Sequence, residues 1–166
     1  MEREPMKKTQ AMTPLAYAYT QSPVGFIEVG ATAEALVSLY FVEAVRQPDT
    51  ASPLLRAVVE QLAEYFAGTR TTFTLPLHFV GTAFQQRVWQ QLLTVPYGQT
   101  VSYQEIANAL GNPKAVRAVG AANGQNPISI IAPCHRIIGS NGALIGYGGG
   151  LWRKEWLLKH EGGLLI

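Results

Sequence analysis

Residues 102–123 read SYQEIANALGNPKAVRAVGAAN, and this stretch decides the fold. Ser102 followed three residues later by Glu105 is a capping box: the serine side chain satisfies one orphan amide of a helix start and the glutamate reaches back to another. Ile106, Ala109 and Leu110 continue a short helix. Gly111-Asn112-Pro113 is a tight break, after which Asn112 caps a second helix with Pro113 at its start, running from Lys114 to Asn123. Two short helices joined by a three-residue turn predict a helix-turn-helix. The second helix is mostly Ala, Val and Gly around a single Arg117. Such a surface suits close approach to a narrow groove, with Arg117 long enough to enter a base stack. Spacing alone equally allows a small-residue core helix with Arg117 in a salt bridge.

Downstream lies the only cysteine of the chain, in Pro133-Cys134-His135-Arg136. The apolar run Ile128-Ser129-Ile130-Ile131 before it predicts a buried strand carrying the thiol to a loop rich in glycine, Gly146-Tyr147-Gly148-Gly149-Gly150. A free thiol with a pKa of about 8.5 is mostly protonated at neutral pH, so an attacking sulfur needs a base or a positive field. His135 is adjacent, but neighbours on a strand point to opposite faces. Contact between them therefore requires a turn or helix start at Cys134, or a relay through water. The closing helix, Trp152 to Glu161, offers Glu155 and Glu161 as the acid that orients the histidine, and spacing does not choose between them. An inert buried cysteine beside a surface histidine is the competing reading of the tetrapeptide.

Upstream, Phe84, Val88, Trp89 and Leu92 mark one face of a helix that ends at Pro96-Tyr97-Gly98. Before it, the segments 15–19, 25–29 and 35–41 are short, β-rich and separated by turn residues such as Ser22-Pro23, which predicts a small antiparallel sheet. Ser52 as N-cap and Pro53 at the first helical position open a helix with apolar residues at Leu55, Val58, Val59, Leu62, Tyr65 and Phe66, stopped by Gly68. Residues 69–82, with Thr71-Thr72-Phe73-Thr74-Leu75-Pro76, read as a strand and a connector leading into the second lobe. The expected fold class is α+β: a disordered tail over 1–12, a first lobe of sheet plus helix over 13–78, a connector over 79–83, and a mainly helical domain with the helix-turn-helix over 84–166.

With 166 residues, 48% of them hydrophobic and 14% charged, the chain suits one compact unit or two small lobes. No apolar run approaches the roughly 20 residues of a membrane span, and the polar start Met1-Glu2-Arg3-Glu4-Pro5 lacks a signal peptide's apolar core. A cytoplasmic protein is expected, with no membrane partner. One cysteine forms no internal disulfide, and three scattered histidines give no metal-site spacing. No metal or cofactor is expected. Residues 1–83 carry six Lys/Arg against eight Asp/Glu and residues 84–166 seven against three, so the basic excess lies with the cysteine.

The run from Phe84 to Gly162 closely resembles the O6-alkylguanine-DNA alkyltransferases, the methylated-DNA-protein-cysteine methyltransferases. The resemblance rests on Asn126-Pro127 through Pro133-Cys134-His135-Arg136 to Gly146-Tyr147-Gly148-Gly149. Phe84-Gln85-Gln86-Arg87-Val88-Trp89, Pro96-Tyr97-Gly98, Ser102-Tyr103, Ala118-Val119-Gly120 and Lys154-Glu155-Trp156-Leu157-Leu158 support it. The first lobe is similar in size, element order and the Ser22-Pro23-Val24-Gly25 turn, and the resemblance implies a ribonuclease H-like lobe there.

The resemblance implies direct, stoichiometric repair of O6-methylguanine in double-stranded DNA, and less efficiently of O4-methylthymine. Cys134 would accept the alkyl group, His135 would act as base through a water, and Glu161 rather than Glu155 would orient it. Asn126 would be the hinge of the site and Tyr103 the donor to the departing guanine. Arg117 would fill the gap left by a flipped nucleotide, with Lys114, Tyr103, Ala118, Gly120 and Ala121 also against DNA. Pro133, Ser140, Tyr147, Gly148 and Gly149 would line the alkylguanine pocket. A monomer associated with the nucleoid through DNA is implied, several molecules being able to sit side by side on the duplex. Gly148 stands where many relatives carry serine, Ala132 where a branched apolar residue is frequent, and the cysteines of zinc-binding relatives are absent. A non-catalytic lesion binder would lack Cys134, a plain helix-turn-helix regulator would not need it, and a thiol hydrolase would turn over repeatedly.

Overall fold

The computed structural model describes residues 16–50 and 52–163. The tail expected over residues 1–12 lies outside them. The chain divides into two compact units, with the break between Val80 and Gly81.

The first unit is built on a three-stranded antiparallel sheet in the order β1 (Ala16–Ser22), β2 (Gly25–Ala31), β3 (Leu36–Phe41). Ser22 pairs with Gly25 across a two-residue turn, where the serine hydroxyl donates to the Gly25 carbonyl at 2.8 Å and accepts from the Val24 amide. Gly25 sits at φ 109°, a backbone conformation that a side chain would strain. Helix α1 (Pro53–Phe66) starts as its sequence dictates: the Ser52 side chain accepts from the Leu55 amide and proline occupies the first turn. Its buried residues Leu55, Val58, Leu62 and Tyr65 recur at helical spacing and face β1 and β2, where Ile27 and Val29 are buried. The segment expected as a strand over Thr71–Pro76 is not one. Its backbone is engaged by a side chain instead, the Thr74 amide donating to Gln61 on α1, and only Leu77 forms an isolated bridge to Leu36.

The second unit opens with α2 (Ala83–Leu92), which starts one residue ahead of the run that predicted it and has a capping box of Thr82 and Gln85. Val88, Trp89 and Leu92 bury its inner face, and the Trp89 indole donates to the Ala122 carbonyl at 2.8 Å. A short strand β4 (Val101–Ser102) leads into α3 (Tyr103–Ala109), where Ser102 and Glu105 form the predicted capping box. Helix α4 (Val116–Gly124) completes the helix-turn-helix, but it starts later than Asn112-Pro113 predicts and has no side-chain cap. The Asn112 amide donates back to the Ala107 carbonyl and the Pro113 carbonyl accepts from Gln104, so these residues finish α3 rather than begin α4.

Cys134–Arg136 form one turn of 3-10 helix that runs into β5 (Ile137–Ile138), and β5 pairs in parallel with β4. Val101 opposes Ile137 and Ser102 opposes Ile138, so the cysteine turn enters the two-stranded ladder at the end where the Pro96-Tyr97-Gly98 turn arrives, and α3 leaves from the other end. Helix α5 (Leu151–Glu161) ends at Gly162, which adopts the left-handed cap conformation with φ 79°.

Candidate functional site

The strand expected over Ile128–Ile131 is a set of buried turns. Asn126 causes this: its side chain accepts from the Ile128 amide at 2.9 Å and donates to the Ala132 carbonyl at 2.8 Å, taking backbone groups that a sheet ladder would otherwise use. The Ala132 amide closes the loop onto the Ile128 carbonyl, and Ile130 is held at φ 70°. A β-branched residue in that region is costly and persists only where its surroundings over-determine it. The loop fixes Pro133, itself buried, at the entrance to the 3-10 turn. Cys134 and His135 therefore sit on a helical turn, the condition under which adjacent side chains can share a site.

His135 is fully buried, and its Nε2 lies 2.8 Å from Glu161 Oε2. Arg136 donates to both oxygens of the same carboxylate, at 2.8 and 3.0 Å, and from its third nitrogen to the Val95 carbonyl at 2.7 Å. Glu161 is thus the shared anchor of two consecutive residues 25 and 26 positions away. Glu155, the alternative acid, pairs with Lys159 on its own helix. The Pro96-Tyr97-Gly98 turn closes over this cluster, with Tyr97 beneath the Arg136 guanidinium. Gly98 has φ 81°, and a Cβ there would meet the Glu161 carbonyl at 3.0 Å, so only glycine lets the turn approach.

Burial alone would raise the Glu161 pKa, but hydrogen bonds and charge from His135 and Arg136 hold the carboxyl well below its usual range. Burial lowers the His135 pKa against the pull of Glu161, so the imidazole is neutral. With an ionised carboxylate at Nε2, the proton resides on that nitrogen. Nδ1 is left as a buried lone pair with no hydrogen-bond partner among the described residues. Burial raises the Cys134 pKa, opposed by a hydrogen bond from Asn126, the charge of Lys154 and the Tyr147 hydroxyl. The resting thiol is therefore protonated, beside a neutral base and a cation that favour its thiolate.

Tyr103 opens α3 half-buried, and its hydroxyl donates to the Ile145 carbonyl at 2.8 Å. Burial and the Cys134 thiolate charge both raise its pKa, so it stays a proton donor. Lys154, fully buried, donates to the same Ile145 carbonyl at 2.9 Å and to Gly146 at 3.2 Å, pinning the glycine-rich loop; burial lowers its pKa to about 8. Tyr147 is half-buried and interacts with Ser129 and Cys134, and Gly148 is exposed against the Gly124 carbonyl. Arg153 donates to the Gly149 carbonyl at 2.6 Å. Ser140 stands exposed in the turn between Gly139 and Gly142.

On α4 the inner face is Val119, Ala122 and Asn123, while Arg117, Ala118 and Ala121 are exposed. The salt bridge that would make Arg117 a core residue is absent among the described residues. Gly120 lies against the Tyr103 ring, where an added Cβ would sit at 3.9 Å. Lys114 is exposed in the turn before the helix rather than on it. Three residues missed in the sequence belong to this cluster: Arg136, whose only signal was its place beside His135; Lys154, a lysine where the helix pattern wants an apolar residue; and Asn123, an asparagine among alanines.

The helix-turn-helix and the buried thiol beside an anchored imidazole place this chain among DNA-binding proteins that carry a cysteine site. Residues 83–163 match the family described as 6-O-methylguanine DNA methyltransferase, DNA binding domain, and residues 15–79 the ribonuclease-like domain of the same family. A methylated-DNA–protein-cysteine methyltransferase of Mycobacterium bovis is 49% identical over 150 residues, covering 87% of this chain and 91% of the relative. The crystal structure of the Mycobacterium tuberculosis O6-methylguanine methyltransferase superposes with a TM-score of 0.81 at 46% identity, over 91% of this chain and 94% of that one. A structure of Mycobacterium tuberculosis OGT in complex with DNA gives 0.83 at 47%, over 89% and 93%. The chain belongs to the methylated-DNA–protein-cysteine methyltransferase family. Among the described residues no helix is long and apolar enough to cross a membrane.

Proposed function

We propose that this protein repairs O6-alkylguanine in double-stranded DNA by transferring the alkyl group, irreversibly and once per chain, to Cys134. The observation that carries the reading is the buried Cys134–His135–Glu161 run, in which a protonated thiol adjoins a neutral imidazole whose far nitrogen is anchored on a carboxylate.

His135 Nδ1 takes the thiol proton through a water, and Glu161 stabilises the imidazolium that forms. The thiolate attacks the alkyl carbon in line with the bond to O6. That bond breaks, its electron pair goes to the guanine oxygen, and Tyr103 donates its hydroxyl proton to the departing base where negative charge develops. The hydroxyl must leave the Ile145 carbonyl to do so. A thioether has no good leaving group, so the site is spent. Asn126 holds the nucleophile's loop in place.

An alkyl group on a stacked guanine is inaccessible, so the nucleotide leaves the helix at a cost of a few kcal/mol, least for a poorly paired base. Arg117 enters the vacated stack; Ala118, Gly120 and Ala121 allow α4 to approach closely, and Lys114 contacts phosphate. Pro133, Tyr147, Gly148 and Gly149 bound the base, with Ser140 at the rim. O4-methylthymine is a poorer substrate of the same site. The protein acts as a monomer in the cytoplasm, bound along the nucleoid, with neighbours able to bind side by side.

The test uses duplex DNA labelled in the methyl group of O6-methylguanine. Label moving to the wild-type protein and not to the Cys134→Ala variant is the expected result. Label released to solvent, or retained on DNA by active protein, excludes this function.

A further inference from the structure

Asn123 lies on the buried face of α4, 4% exposed, where alanine would be the better helix former. Its Nδ2 donates to the Cys134 carbonyl at 3.3 Å, and a carbonyl accepts only from the nitrogen end of an amide. The same side chain is hydrogen-bonded to Tyr103. Its Oδ1 has no hydrogen-bond partner among the described residues, so this second bond is also made by the nitrogen. Nδ2 carries two hydrogens, one for the carbonyl and one for the phenol oxygen. The Tyr103 hydroxyl keeps its own hydrogen, which it donates to the Ile145 carbonyl at 2.8 Å. Gly120, one turn earlier on α4, lies against the Tyr103 ring, so the helix seats the ring as well as the oxygen.

The amide therefore grips the oxygen of Tyr103 and not its hydrogen. The hydrogen can turn about the C–O bond from the Ile145 carbonyl to another acceptor while the oxygen stays in place. Loss of that proton leaves a phenolate, which burial disfavours most and negative charge on Cys134 disfavours further; the Asn123 bond acts the other way. A donor already aimed at an atom where charge develops strengthens as the charge grows and needs no reorganisation. Both bonds leave one nitrogen, so the nucleophile's backbone and the acid's oxygen are held at a fixed spacing.

We propose that Asn123 is a positioning residue for the proton donor: it ties Tyr103 Oη to the Cys134 turn and stabilises the phenolate left when the hydroxyl proton passes to the departing base. The inference rests on the alkyl-transfer reading of Cys134, with Tyr103 as the acid. In that step the Tyr103 O–H bond breaks, the proton goes to the guanine anion and the electron pair stays on Oη. The proton that His135 took from the thiol restores the phenol, so the net change moves the thiol hydrogen to guanine. Asn123 acts through Tyr103, without contact to the base.

The experiment is a double-mutant cycle read by single-turnover transfer from an O6-methylguanine duplex, with duplex affinity measured on each variant. Asn123→Leu is expected to slow transfer about tenfold, less than the loss of a donor that touches the reacting base, with affinity changed by less than about twofold. In a Tyr103→Phe background, which has no phenol oxygen to hold, the same substitution is expected to change the rate by less than about twofold. A purely structural role would persist there, so a loss of about tenfold in that background overturns the proposal, as does an unchanged rate in Asn123→Leu alone. Should Asn123→Leu fail to fold, side-chain amide NMR of isotope-labelled protein decides: Tyr103→Phe is expected to move one Asn123 Nδ2 proton upfield and leave the other, and two unmoved protons overturn the proposal. Absence of transfer by the wild-type protein overturns the alkyl-transfer reading itself, whereas additive losses overturn only the role of Asn123.

Discussion

Glu161 binds His135 and Arg136 with the same carboxylate, Oε2 lying 2.8 Å from His135 Nε2 while the guanidinium of Arg136 spans both oxygens. Two residues adjacent in one turn are thereby fixed to the last turn of α5, and one tautomer of the histidine is selected. In the proposed reaction the base is positioned by a contact that also fastens the C-terminal helix, so one carboxylate would serve both catalysis and stability.

Replacing Glu161 by Gln removes the charge that balances buried Arg136 and one of the two acceptor oxygens that His135 and Arg136 share. The expected loss of stability is about 3 kcal/mol, the order found when one partner of a buried pair is removed. The single-turnover transfer rate is expected to fall about 100-fold. Chemical denaturation and quenched-flow transfer measure the two effects separately. A variant as stable and as fast as the wild type would show that the carboxylate neither anchors the turn nor orients the base.

Acid should affect the protein in two stages. His135 is held neutral by burial, so its folded pKa lies below the ordinary value of 6.5. The unfolded chain gains that proton first, and stability begins to decline as pH falls below about 6.5. Glu161 has a lowered folded pKa; its contribution is complete above the unfolded value near 4.5 and is lost as pH falls towards the folded value. The transfer rate constant, which needs neutral His135, should stay level as pH falls through 6.5. A rate that halves at 6.5 would mean that the base is an ordinary exposed histidine.

Local hydrogen bonding made much of the fold legible. Ser52 with Pro53, and Ser102 with Glu105, specify helix starts through partners three residues away, and the structure has both. Three segments misled where distant groups intervene. Asn126 grips residues 128 and 132 and turns an apolar, β-branched run into a loop; Gln61 occupies the Thr74 amide and keeps residues 71–76 out of the sheet. Gln104 claims the Pro113 carbonyl and delays the start of α4. Within the site, Cys134 and His135 were readable as chemistry, but neither periodicity nor spacing could separate Glu161 from Glu155, and only the family resemblance did. Lys154 and Asn123 break the apolar pattern of their helices but give no hint of a partner, because the carbonyls they hold come from other segments.

Tyr103→Phe removes the hydroxyl that donates to the Ile145 carbonyl and, in the proposed reaction, to the leaving base. The transfer rate should fall by about 10²-fold, the scale of a single hydrogen-bond donor to developing charge. Binding of the lesion-bearing duplex should change far less. A loss confined to binding, with chemistry intact, would make Tyr103 a DNA contact alone.

Arg117→Ala should slow repair of O6-methylguanine in duplex DNA at least about tenfold while leaving reaction with free O6-benzylguanine unchanged, because only the duplex has a stack to fill. Competition between the two substrates in one reaction reads the difference directly. Equal losses on both would assign Arg117 to the site rather than to the helix gap.

Intact mass spectrometry on reduced protein incubated with excess O6-methylguanine duplex tests the central claim most directly, with peptide mapping to place the adduct. The expected result is a single methyl per chain, on the peptide holding Cys134, with repaired guanine equal in amount to the protein and no further turnover. An unmodified protein, or repaired guanine in excess of protein, would contradict the account of Cys134 as an acceptor spent once.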